Sequence, residues 1–360
     1  MTRQLQFLNA FNYLLVCNVR FDGIRNEVVL VGKQGNSIVV LILLCAIVYF
    51  VIKLEQITSM GVESVTSITR YTITFITIFI IKIEDLFRRK SQLNLCQLMK
   101  VYTIHVDKGF SQNKKVGEQT TLLLIKLQIV LILVLDWMLN GYYIYEYWND
   151  PSMTYIIVLL FEEYVQANLV FTQFFAYFLS TEFQRLKLQI GNQEIQKLLG
   201  SAEKLEQIKR VLSDVFGSRL LLFLFQLLVN VSCCCYELMA VFKQQHLSGA
   251  LIGELSYVMF KILTCNALVL FGTAYSFDRV DVEEEELRNK LKTLQYNACE
   301  DQSEKYSNFL DIVNLKLITD SPKITACGLF TINLKVFCNI FTAIVTYIMI
   351  LFQFRDLEKH

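Results

Sequence analysis

Residues 331–354 read TINLKVFCNIFTAIVTYIMILFQF, and the reading of this stretch decides the fold. Its length, about 24 residues, is enough to cross a hydrocarbon core of about 30 Å as a helix, and its one charge is Lys335. The stretch is not uniformly apolar. Lys335, Asn339, Thr342, Thr346 and Gln353, with Met349 or Ile350 between them, recur at steps of three and four and so share one helix face. A polar group left unpaired in hydrocarbon is costly, so such a face must meet protein or water. The expectation is that this face lines a pore.

The composition extends the same reading to the whole chain. Hydrophobic residues make up 54% and charged ones 19% of 360, where a soluble domain has about 45–50% and about 25%. Six more apolar stretches precede the last, at 36–54, 67–83, 122–140, 153–179, 219–242 and 252–275. The expected class is all-α, a multi-pass protein with seven transmembrane helices. The net charge is +1 and the basic residues are dispersed in short segments, so no nucleic-acid partner is expected.

Lysine and arginine set the orientation, because basic loops stay in the cytoplasm. Segments on one side hold Arg3, Arg20, Arg25 and Lys33, then Arg88, Arg89 and Lys90, then Arg185, Lys187, Lys204 and Lys209, then Arg279, Arg288, Lys290 and Lys292. Loops 55–66 and 141–152 hold none. The N-terminus is therefore expected inside and the C-terminus outside. That is the reverse of a seven-helix G-protein-coupled receptor. Asp278-Arg279-Val280 resembles the triplet of such receptors but follows the sixth span, and the two prolines, Pro151 and Pro322, lie outside the spans.

The expected organisation is a cytoplasmic amphipathic segment over 1–35, where Leu5, Leu8, Phe11 and Leu15 recur at helical spacing. A six-helix bundle over 36–275 follows, with cytoplasmic extensions at about 184–218. Next come anchor helices over 276–330, the pore helix over 331–354 and an extracellular tail over 355–360. Leu95, Leu98, Met99 and Tyr102 mark a short amphipathic helix. Leu198, Leu205, Ile208, Leu212 and Val215 repeat at nearly heptad steps. Leu287, Leu291, Leu294 and Ala298 share one face, as do Tyr306, Phe309, Val313 and Leu317. None of these stripes can be buried alone, so the helices are expected to pack as one intracellular bundle, with the run Glu283–Glu286 as its solvated face.

Glu162 and Glu163 lie about two turns inside the fourth span. Carboxylates at that depth face a cavity or a partner, and both readings stand: ligand binding, or pairing with Arg70 or Lys261 inside the bundle. The aromatic run Tyr142, Tyr143, Tyr145, Tyr147 and Trp148 fits an interfacial belt. No cysteine among ten falls in an outer loop, so no structural disulfide is expected. His105, His246 and His360 have no metal-ligand spacing, and no phosphate loop, nucleophile elbow or zinc helix occurs. Neither an enzyme activity nor a cofactor is expected.

Thr346-Tyr347, five apolar residues and Gln353-Phe354 resemble the signature of the insect gustatory receptors, relatives of the insect odorant receptors. Ala326-Cys327-Gly328-Leu329-Phe330 is similar to the segment leading into that helix. The resemblance implies a ligand-gated, nonselective cation channel of four subunits, as a homotetramer or a heteromer with related receptors, in the plasma membrane of a sensory neuron. It implies a last helix in two halves, one anchoring the tetramer and one lining the pore, with a gate near Met349, Phe352, Gln353 and Phe354. It implies a small-molecule tastant in the outer half of the bundle, for which Asp136, Trp137, Glu162, Glu163, Tyr236, Glu237 and Tyr257 are candidates. Sugar receptors of the family carry glutamate where Tyr347 stands, which turns the expectation toward bitter or repellent compounds. The alternatives are a metabotropic receptor, a transporter and an accessory subunit without its own current.

Overall fold

Long apolar periodicity becomes long helix. The structure is a computed structural model that describes residues 9, 18–22, 27–30, 44, 62–109, 153–190, 195–243, 249–298 and 322–357. In chain order it contains β1 (Val19–Asp22), β2 (Glu27–Leu30), α1 (Val62–Phe87), α2 (Arg89–Gly109), α3 (Met153–Gln189), α4 (Ile195–Lys243), α5 (Gly249–Ala298), β3 (Thr325–Ala326), β4 (Phe330–Thr331) and α6 (Leu334–Leu357). The fold is mostly helical, with two small antiparallel hairpins, β1–β2 and β3–β4. The spans expected at 36–54 and 122–140 and the stripe at Tyr306, Phe309, Val313 and Leu317 lie outside the described residues.

α4 has 49 residues and α5 has 50. At 1.5 Å per residue each is roughly 75 Å long, more than twice the hydrocarbon thickness, so most of a second span's length projects beyond it. The divisions expected at 218/219 and 275/276 therefore fall inside continuous helices. Hydropathy drops at those points, but a backbone whose hydrogen bonds close four residues back has no reason to break there.

The stripes behave as the periodicity requires. Leu198, Leu205, Ile208, Leu212 and Val215 of α4 are all buried, as are Leu287 and Leu291 of α5 and Leu95, Met99 and Tyr102 of α2. They join one core with Phe171, Phe175 and Phe183 of α3 and Phe216 of α4. Burying each large side chain contributes about 1.5–3 kcal/mol relative to exposing it. Phe216 meets Phe171 and Phe175 with ring centroids 5.7 and 5.3 Å apart. Gln173 of α3 donates to Val269 O and Thr273 Oγ1 of α5, and Lys187 reaches Glu283, so α3 and α5 run parallel.

Three expectations are corrected. The segment 1–35 contains the β1–β2 hairpin, with Val19 and Phe21 buried on its inner face, in addition to the helical Asn9. The Glu283–Glu286 run is solvated only in its second half: Glu285 and Glu286 are exposed, whereas Glu283 and Glu284 are buried against lysines of α3 and α4. The last helix begins at Leu334 rather than Thr331, because β4 occupies Phe330–Thr331 and Asn333 Oδ1 caps the helix by accepting from Val336 N at 2.9 Å. At the other end it continues to Leu357, into the expected tail.

Candidate functional site: the outward face of the last helix

α6 has two unlike sides. Val336, Phe337 and Ile340, with Ile332 just ahead of the helix, turn toward the bundle and line a narrow, mostly apolar crevice of about 20 Å³ with Leu220, Phe223 and Leu224 of α4 and Leu270, Thr273 and Ala274 of α5. Phe337 meets Phe271 of α5 edge-on at 5.6 Å. On the other side Lys335, Asn339, Thr342, Thr346, Met349 and Gln353 are all exposed. Helical spacing puts them there: positions three and four apart stack, and the bundle takes the opposite stripe.

Two hydroxyls on this face satisfy their donors locally. Thr342 Oγ1 donates to Cys338 O and Thr346 Oγ1 to Thr342 O, both at 2.8 Å. Each oxygen keeps acceptor lone pairs for a ligand, water or cation. Phe352 and Phe354 of the expected gate and Tyr347 of the signature lie on α6.

Polar residues elsewhere in the bundle are engaged within the subunit. A seam between α1 and α4 begins where Arg70, 4% exposed, donates to Cys234 Sγ at 3.6 Å and to the Tyr71 hydroxyl at 3.3 Å. Gln226 then donates to Thr74 Oγ1 at 3.1 Å. Farther along, Arg219 is paired with Asp85, which also accepts from Gln92 Nε2 at 2.7 Å and has Lys82 at 3.7 Å. The ammonium of Lys82 stands 4.8 Å over the Tyr164 ring. Asn18, beside β1, donates to Asp85 O at 3.1 Å and fixes the N-terminal hairpin to the same node.

Beyond the seam the polar ends of α3, α4 and α5 are laced by charge. Lys209, fully buried, lies 2.5 Å from Asp281 and 2.6 Å from Glu284. Arg288 joins Glu206 at 2.7 Å and Glu284 at 3.2 Å. Lys187 holds Glu283 and Glu286. Burial draws the pKa of the Lys187 ammonium down, but the hydrogen bonds it donates to Glu283 and Glu286 outweigh it and leave that pKa raised; the Lys187 hydrogen bond holds the Glu286 carboxyl below its usual range. Burial, with Glu182 nearby, pushes the Tyr102 hydroxyl well up.

The family model for 7tm chemosensory receptors matches residues 9–358, nearly the whole chain. The chain belongs to this chemosensory receptor family. The receptor is thus a member of a family of membrane chemoreceptors. Its fold is similar to that of the insect olfactory receptor OR5 from Machilis hrabei, at a TM-score of 0.61 and 12% identity over 88% of each chain. It is also similar to the same olfactory receptor in complex with eugenol, at 0.58 and 11% identity over 98% of this chain and 99% of that one. No curated protein matches in sequence.

In this chemosensory receptor the ligand candidates are spread over three helices. Glu162 and Glu163, both half-buried, follow Phe161, whose ring meets Phe75 of α1 at 4.9 Å, so they lie level with the Thr74–Gln226 contact. Tyr236 and Glu237 are on α4, about two turns or more farther toward its end, and Tyr257 is on α5. Asp136 and Trp137 lie outside the described residues. Gln226 and Cys234 are polar partners that the sequence reading did not name, although Gln226, Asn230 and Cys234 recur at helical spacing.

Proposed function

We propose that this receptor is a gustatory chemoreceptor that works as a ligand-gated, nonselective cation channel, with four copies of α6 around a common axis. It spans the plasma membrane seven times, with the N-terminus inside. The observation that carries the reading is the outward face of α6. Asn339, Thr342, Thr346 and Gln353 present amide and hydroxyl oxygens away from their own subunit, while polar side chains of the seam and extensions engage partners within it. Oxygen donors in a row suit partly hydrated cations, and the seat for such a row is a water-filled axis rather than lipid. Lys335, exposed at the cytoplasmic end, extends its ammonium to the interface.

The ligand is a small molecule held in the outer half of the bundle, near Glu162 and Glu163, and Tyr347 favours bitter or repellent compounds over sugars. It acts by binding the open arrangement better than the closed one. Calcium entry in cells expressing the receptor, screened with bitter compounds, sugars and the olfactory relative's ligand eugenol, identifies the class. In a responding cell, Gln353→Ala changes permeation or gating. Unchanged currents in that variant contradict a pore position for Gln353.

A further inference from the structure

The segment before α6 is too short to hold its own shape. β3 and β4 pair over only two positions each, Thr325 with Thr331 and Ala326 with Phe330, and so small a hairpin is marginal by itself. Its turn passes through Cys327 at φ 53° and Gly328 at φ 74°, both in the left-handed region. What fixes it is α4. Ser213 Oγ accepts from Thr325 N at 3.0 Å and lies 3.3 Å from Thr325 Oγ1, and Ile324, Ala326 and Ile332 are buried in the main core.

One turn on, Gly217 admits the hairpin backbone itself. A Cβ at Gly217 would stand 2.9 Å from Thr325 O and 3.0 Å from Cys327 N, closer than side chains pack against backbone. Ser213 and Gly217, four residues apart, share one face of α4. The neighbouring positions of the same two turns hold the end of α1. Arg88 donates to the carbonyls of Asp214 and Val215, Ser218 meets Glu84, and Arg219 meets Asp85. From Thr331 only Ile332 and the Asn333 cap separate the hairpin from the first turn of α6.

We propose that the hairpin seated on α4 is the joint that sets where the last helix stands against the bundle, and that Ser213 and Gly217 are its positioning residues. This rests on the channel reading for its consequence: a shift of α1 and α4 on ligand binding reaches α6 through two turns of α4 and a connection with no slack.

The test uses the full-length receptor in liposomes, with no agonist. Ser213→Ala with Thr325→Ala removes the side-chain hydrogen bonds, Gly217→Ala displaces the hairpin, and Ser213→Cys with Thr325→Cys replaces the facing oxygens by thiols. Hydrogen exchange is read at 334–340 and, as reference, at 205–212; unstimulated cation flux is read in parallel. Loss of about 1 kcal/mol of hydrogen bonding corresponds to roughly fivefold faster exchange. That acceleration is expected at 334–340 alone, with a change in flux. The cysteine pair, oxidised with copper phenanthroline, holds wild-type exchange and flux, and dithiothreitol releases both. Equal exchange in the alanine variants and wild type overturns the joint, as does a cysteine pair indifferent to reduction. If Gly217→Ala does not fold, the other two variants carry the same test. Accelerated exchange at 334–340 with flux unchanged in every variant keeps the joint and overturns its consequence for the channel, so the two readings fail separately.

Discussion

Two polar strips in this receptor invite comparison, the α1–α4 seam and the outward face of α6. Both belong to segments rich in apolar residues, and both repeat at helical spacing. In the seam, side chains meet partners across the helix pair: Arg70 with Cys234, Thr74 with Gln226, Asp85 with Arg219. On α6, the threonine donors fold back onto their own helix and the face stays exposed. Polar residues of the seam bind one another, whereas those of α6 are exposed among the described residues.

The contrast predicts unequal costs. Asp85→Leu leaves Arg219 and Lys82 as buried cations without their shared carboxylate, and one broken partner of a buried pair costs about 3–5 kcal/mol. The variant is expected to lose most of its folded fraction, seen in thermal melting and gel filtration in detergent. A melting curve that overlays wild type would show that the seam is not what holds α1 to α4. Gln226→Leu strips Thr74 of a hydrogen bond and should cost about 1–2 kcal/mol, measured in the same melt.

The exposed end of the charge lattice has a smaller, pH-dependent effect. Glu286 has its pKa lowered by Lys187, so its contribution is full above the unfolded value of about 4.3 and fades as pH falls through the folded value. Lys187 is raised, so its share is full below about 10.4 and is lost as pH rises through its folded value. Stability should be flat between these limbs, and Glu286→Gln should flatten the acid limb without touching the neutral plateau. On α6, Thr342→Val and Thr346→Val should change stability by no more than about 0.5 kcal/mol while lowering cation flux. A large melting shift in these two would place the face inside a subunit and erase the comparison.

The apolar periodicities carried much of the fold. Leu198 to Val215, Leu95 to Tyr102 and the polar stripe of α6 repeat with a fixed period, and each took the side that its period assigns. The unread parts lack a period or depend on distant partners. The β3–β4 hairpin has two residues per strand, too few for alternation to register. Glu283 and Glu284 look solvated in a run of four carboxylates, and only folding brings Lys187 and Lys209, some 75 to 96 residues away, against them. Hydropathy marks where apolar composition stops, not where a helix stops; the stripes at Leu198–Val215 and Leu287–Ala298 are what mark α4 and α5 as helices that continue past the apolar runs.

The most direct test of the proposed pore position of α6 is thiol accessibility at Thr342→Cys in inside-out membrane vesicles, on a Cys338→Ser background, using a charged, membrane-impermeant methanethiosulfonate applied from the cytoplasmic side. Ile340→Cys, on the crevice side, serves as the comparison. An aqueous axis lined by α6 predicts rapid modification of Thr342→Cys and protection of Ile340→Cys. Protection of both, with Thr342→Cys reacting only with a lipid-soluble maleimide, would mean that the outward face of α6 meets lipid and that no conduit runs along it.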